Sequence, residues 1–201
     1  MEDGLAAIRY GANALGFILV KKSPRYVEPD QIRFIISSLP PLVQTVGVFV
    51  NEKSRRVREL VEYCGLDMVQ FHGEESPDQC GIFLTRAIKA FRVKDSSALH
   101  EIDAYQGKVR AVLLDSWSSN AHGGTGKRFD WTIARQIVAS SKVPVILAGG
   151  LNADSVEEAV RQVKPFGVDV SSGVEVSPGI KDKKLMKDFI KRVREAAKEI
   201  V

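Results

Sequence analysis

The sequence predicts an α/β fold built on a parallel sheet, either doubly wound or closed as a (β/α)8 barrel. Three observations carry this. Apolar, β-branched runs recur at regular spacing along the 201 residues. They are mostly continuous rather than alternating, as expected of parallel strands covered on both faces. Amphipathic helical stretches separate them, as parallel crossovers require.

The chain starts on a helix, residues 2–10, and a glycine turn follows. The strands are ALGFIL (14–19), TVGVFV (45–50), DMVQFH (67–72), AIKAF (87–91), VRAVLLD (109–115), VPVILAG (143–149) and GVDVSS (167–172). Residues 28–39 place Ile32, Ile35, Ile36 and Leu39 on one stripe, and residues 54–64 do so with Val57, Leu60, Val61 and Cys64. In residues 76–84, Ser76 caps, Pro77 takes the first helical position and Gln79 completes a capping box. Asp130 caps a helix carrying Ile133, Ile137 and Val138, and Asn152 precedes one carrying Val156, Ala159, Val160 and Val163. The last helix carries Leu185, Phe189, Val193, Ala196 and Ile200. The pattern gives seven strands against eight helices. A barrel needs eight strands, and the deficit falls ahead of the first helix.

Composition narrows the class. Hydrophobic residues make up 44% and charged residues 27%, ordinary for a soluble domain, and the length fits a single domain over residues 1–201. No apolar run reaches the ~20 residues of a membrane span, and no secretory signal opens the chain. Cys64 and Cys80 make no disulfide framework, which suits a reducing cytoplasm. The net charge of +4 is spread out, and the basic C-terminal run reads as a solvated helix face rather than a nucleic-acid surface. No His/Cys cluster has metal spacing, and both cysteines fall on apolar stripes.

Chemistry is expected where parallel strands end. The last two strands run into AGGLN (148–152) and DVSSGVE (169–175). Gly149 and Gly150 let backbone N–H groups approach a ligand, while Ser171, Ser172 and Gly173 add hydroxyls and more backbone donors; together they predict a phosphate site. Asp115 ends VRAVLLD and is either a general acid or base or a helix-side cap. The loop after it, SWSSNAHGGTGKRFDW, lacks P-loop spacing and reads as a lid. Asp169 shares side-chain parity with Ser171, and Arg25 in SPRY is its expected basic partner. Gln70 and His72 share parity near a strand end; a purely structural histidine is the competing reading of His72.

KKSPRYV, VGVFVN, VQFHGEE, LLDS…GGTGKRFDW, LAGGLN and VDVSSGVEVSPGIKD stand in the order and spacing of the phosphoribosylanthranilate isomerases. The chain resembles that family from residue 2 to its last helix. The resemblance implies a (β/α)8 TIM-type barrel, here with seven strands, using neither metal nor organic cofactor. It implies an Amadori rearrangement of a small phosphorylated substrate in tryptophan biosynthesis, with no nucleic acid or membrane partner. Asp115 falls on the general acid that protonates the ribose ring oxygen. Arg25 and Asp169 fall at the anthranilate end, and Gly149, Gly150, Ser171, Ser172 and Gly173 on the phosphate loops. The family's general base is a cysteine closing a first strand, and no residue of MEDGLAAIRYG matches it. Two consequences are expected: weakened turnover, and self-association through the exposed edges of strands 14–19 and 167–172.

Overall fold

The computed structural model describes residues 1–93, 95, 97–116 and 131–199. The lid expected over 116–131 and the Asp130 cap lie outside the described residues, apart from Ser116 and Trp131.

Helix α1 (Glu2–Tyr10) leads into β1 (Ala14–Ile18), then α2 (Pro29–Ser37), β2 (Gln44–Phe49), α3 (Ser54–Cys64), β3 (Met68–Phe71), α4 (Pro77–Gly81) and β4 (Ala87–Val93). There follow α5 (Ala98–Asp103), β5 (Ala111–Ser116), α6 (Trp131–Ser140), β6 (Val145–Ala148), α7 (Ala153–Val163) and β7 (Gly167–Val168). A short 3-10 turn, Ser172–Val174, precedes a small hairpin, β8 (Glu175–Ser177) with β9 (Ile180–Lys181), and α8 (Lys183–Lys198) ends the chain. The seven long-sheet strands pair in sequence order, all parallel.

Strand parity divides the apolar residues into two cores. Outward-facing Phe17, Phe49, Val69, Val112, Leu114 and Leu147 pack with helical Ile32, Val57, Leu60, Ile137, Val156 and Ala159. Inward-facing Val46, Ile88, Ala90, Ala111, Leu113 and Ala148 form a separate, smaller cluster with Met68 and Ile146. In β5, Val112 and Leu114 belong to the outer core and Ala111 and Leu113 to the inner one, so Asp115 inherits the inward direction.

The sheet curls without closing. Among the described residues, β1 pairs in the sheet only with β2, and β7 only with β6. Side chains bridge the two ends instead. Lys181 donates its backbone N–H to Asp3 of α1 (3.1 Å), and Arg194 of α8 donates to the Gly11 carbonyl (3.2 Å). Among the described residues neither sheet edge pairs with another strand of the sheet; on the outer edge of β1 the Ile18 carbonyl accepts from the Val27 N–H (3.0 Å), a single bridge.

Four element expectations need correction. The seventh strand ends at Val168, because Ser171 departs from extended geometry (φ −118°, ψ −83°) and opens the 3-10 turn. Helix α4 stops at Gly81, although Ser76 and Gln79 do form the expected capping box. Phe83 is buried but Leu84 is exposed. On α8 the buried residues are Met186, Phe189 and Ala196, whereas Leu185 is exposed.

Candidate active site

Register places one layer of inward positions at the carboxyl ends of the strands. Asp115 is paired with Arg92 of β4 and Ala148 of β6. The backbone N–H of Asp169 continues this layer by donating to the Leu147 carbonyl (2.9 Å). His72 enters from β3, held by its own N–H on the Phe49 carbonyl (2.8 Å). A cleft of about 180 Å³ opens over these residues, and its lining includes His72, Asp115 and Asp169 together with Gly149, Gly150, Ser171 and Ser172. A larger furrow of about 470 Å³ between α7 and α8 is lined by charged side chains that face solvent and each other, such as Lys191 with Glu195 at 3.8 Å. It lies away from the strand ends.

Gln70, His72 and Asp115 form a chain. The Gln70 amide donates to His72 Nδ1 (3.1 Å), and His72 Nε2 donates to Asp115 Oδ2 (3.2 Å). With Nδ1 accepting, the neutral ring carries its proton on Nε2, facing the carboxylate. His72 is therefore coupled to Asp115 and not to the core. The chain can hold a proton at the cleft floor and deliver it to a ligand oxygen.

The Asp169 carboxyl is pushed upward by burial, opposed by the positive fields of His72 and Lys181 and reinforced by Asp115. Protein crowds the group, yet the residue is still reached by water through the cleft, so its desolvation is partial. The expected pairing with Arg25 is not found. Arg25 joins Glu175 instead, with Nε 3.0 Å from both carboxylate oxygens and Nη2 2.7 Å from Oε2. Glu175 also accepts from Lys181 Nζ (2.9 Å) and, more weakly, from the Gly179 N–H (3.3 Å). Burial alone would raise the Glu175 pKa; the Arg25 and Lys181 hydrogen bonds outweigh it and bring the carboxyl down to about 2.

The glycine loops have distinct reasons. Gly149 (φ 81°) and Gly150 (φ 67°) occupy the left-handed region, so the β6 turn exposes backbone to the cleft at little cost. Gly173 does not line the cleft; a Cβ there would fall 1.9 Å from the Leu151 carbonyl oxygen, so its role is to let the two loops touch. Asn152 caps α7 by accepting from the Asp154 and Ser155 N–H groups (2.9 and 3.0 Å). That cap takes up two donors the helix would otherwise offer an anion. An anion in the cleft would meet the loop backbone and the serine hydroxyls rather than the α7 N-terminus.

Sequence reasoning missed four charged residues here. Glu175 and Lys181 lie just beyond the serine loop, and Lys89 and Glu75 form a buried pair behind β3. Lys89 could have been found: it interrupts the apolar run AIKAF, the same signal that singled out Asp169. Glu75 Oε1 and Oε2 accept from the Asn51 and Gly73 N–H groups (2.7 and 2.9 Å), which pins the loops after β2 and β3 and so the base of His72. Cys64 and Cys80 are buried, and burial drives the Cys80 thiol up to about 12.

Comparison with known proteins places this arrangement. The family model for N-(5'phosphoribosyl)anthranilate (PRA) isomerase matches residues 1–192. The chain belongs to that family. It is 48% identical over 199 residues to the N-(5'-phosphoribosyl)anthranilate isomerase of Pelobacter propionicus, covering 99% of this chain and 93% of the relative. It is 50% identical over 194 residues to that of Geobacter sulfurreducens, covering 96% and 94%. The phosphoribosyl anthranilate isomerase of Thermotoga maritima superposes with a TM-score of 0.85 at 39% identity, covering 96% of this chain and 94% of that one. Another family structure, at 36% identity, TM-score 0.82 and coverages of 96% and 93%, holds reduced 1-(o-carboxyphenylamino)-1-deoxyribulose 5-phosphate. The curled parallel sheet is thus the family's barrel with seven strands described here.

Proposed function

We propose that the chain carries the site of a phosphoribosylanthranilate isomerase, which converts N-(5-phosphoribosyl)anthranilate to 1-(2-carboxyphenylamino)-1-deoxyribulose 5-phosphate. The observation that supports it most is that the hydrogen-bonded pair His72–Asp115, held by buried Gln70, lines one cleft together with the glycine and serine loops. A phosphosugar held by Gly149, Gly150, Ser171 and Ser172 presents its ring oxygen to the acid group. Gly173 contributes by keeping the two loops in contact.

In this reading Asp115 gives its proton to the ring oxygen as the C1′–O4′ bond breaks. The nitrogen lone pair forms the C1′=N bond of the open-chain iminium. Loss of the C2′ proton then gives an enolamine, which tautomerises to the ketose. Arg25 receives the anthranilate carboxylate, and Asp169 stands at the same end. The C2′ step needs a base. Neither cysteine of the chain serves, since both are buried on helices.

The test is turnover of phosphoribosylanthranilate, followed by loss of its fluorescence. It compares the 201-residue chain with a version extended ahead of Met1 by a strand ending in Cys-Gly. The extended chain is expected to turn over ~10²–10⁴-fold faster. No turnover in either would sink the isomerase reading. No helix among the described residues is long and apolar enough to cross a membrane, and the cytoplasm is the expected location. The edges of β1 and β7, which carry no neighbouring sheet strand among the described residues, favour self-association. Light scattering across a concentration series checks it, and a monomer throughout would refute it.

A further inference from the structure

We propose that Glu175 is a positioning residue for the ligand carboxylate: it grips the Nε/Nη2 edge of Arg25 and leaves the Nη1/Nη2 edge for that carboxylate. The assignment rests on the isomerase reading and extends it to a residue with no role there.

The geometry is specific. A guanidinium has two edges able to hold a carboxylate in parallel hydrogen bonds. Glu175 occupies the side-on edge, through Nε and Nη2. Nη1 has no hydrogen-bond partner among the described residues. The Glu175 side chain is 4% exposed and that of Arg25 27%, so the acid stands behind the guanidinium and only the guanidinium can meet a ligand. The acid is itself fixed. Lys181 Nζ spans from Glu175 Oε1 to the Ser171 carbonyl, 2.9 Å to each, which ties the carboxylate to the serine loop. Arg25 follows β1 and Glu175 follows β7, so the contact also sets the distance between the sheet's two open ends. The depressed Glu175 pKa keeps the anchor charged over the neutral range. A long side chain held in its binding rotamer loses less entropy when the ligand arrives.

The experiment is calorimetric binding of two ligands to the 201-residue chain and to Glu175→Gln. One ligand is the reduced 1-(o-carboxyphenylamino)-1-deoxyribulose 5-phosphate; the other is ribulose 5-phosphate, which lacks the aromatic carboxylate. Glu175→Gln is expected to weaken the first about tenfold and the second less than twofold. In an Arg25→Met background the same change is expected to add nothing, since Glu175 acts through Arg25. Glu175→Asp keeps the charge and is expected to give a smaller, equally selective loss; it stands in should the glutamine variant fail to fold. Equal weakening of both ligands, no weakening, or full additivity with Arg25→Met overturns the assignment alone. A parent chain that does not bind the carboxylate-bearing ligand overturns the isomerase reading and this assignment with it.

Discussion

Lys89 Nζ lies 3.3 Å from Glu75 Oε2, and both side chains are almost completely withdrawn from water, at 4% and 2% exposure. The lysine also donates to the carbonyls of Gly73 (2.6 Å) and Ala90 (3.1 Å). Breaking a buried pair strands a charge, which costs about 3–5 kcal/mol. Lys89→Met is expected near the low end of that range, because Glu75 keeps its N–H donors from Asn51 and Gly73. Glu75→Leu is expected to cost more, because it leaves the Asn51 and Gly73 N–H groups without an acceptor and strips the buried ammonium of its counter-charge, leaving it only carbonyls. Urea unfolding midpoints rank the two variants, and the reverse order would refute this account of the pair.

Asp115→Asn keeps the shape of the acid and removes the proton it transfers. In the strand-extended chain, turnover is expected to fall ~10²–10⁴-fold. Affinity for the reduced ligand should change little, since the phosphate loops and Arg25 are untouched. Single-turnover fluorescence and calorimetry separate the two effects. A loss confined to affinity would assign Asp115 to binding.

Glu175 makes the acid limb of stability predictable. Its folded pKa, about 2, lies below the ordinary value of 4.5. Its contribution is therefore complete above about pH 4.5 and is lost as pH falls toward 2. The shift corresponds to stabilisation on the order of 3 kcal/mol. Thermal melts between pH 2 and 7 should show a shallower acid decline for Glu175→Gln than for the parent. Parallel declines would mean that the ion pair does not govern this limb.

Asp169 has the opposite sign. Its folded pKa is raised, so the native state holds its proton more tightly than the unfolded chain. Stability then falls as pH rises from the ordinary aspartate range through the raised value. Asp169→Asn removes that penalty and is expected to raise Tm at neutral pH only slightly, because Asp169 is exposed to water at the cleft. It should weaken turnover of the extended chain at the same time. Unchanged Tm would mean that water through the cleft already relieves the burial.

The strand and helix positions were legible because they rest on local periodicity. Continuous apolar runs such as VRAVLLD and stripes such as Val57, Leu60, Val61 and Cys64 declare their elements without reference to anything distant. The place of Asp115 at the end of VRAVLLD, and the shared parity of Gln70 and His72 at the end of β3, also brought these three residues forward as candidates. The glycine and serine loops were visible because a left-handed turn and a close backbone approach demand particular residues.

Partner choice was not legible. Arg25 and Asp169 looked matched because one was an unpaired cation and the other a charge in a strand. The structure gives Arg25 to Glu175, 150 residues away, because β7 ends early and the serine turn swings that acid over the end of β1. Lys89 and Glu75 meet only because β3 and β4 lie side by side. The sequence by itself determined which segments become strands and helices and which residue types stand at the strand ends. Only the tertiary structure decided which charges neutralise one another, because an ion pair depends on through-space distance, and the curl of the sheet sets that distance.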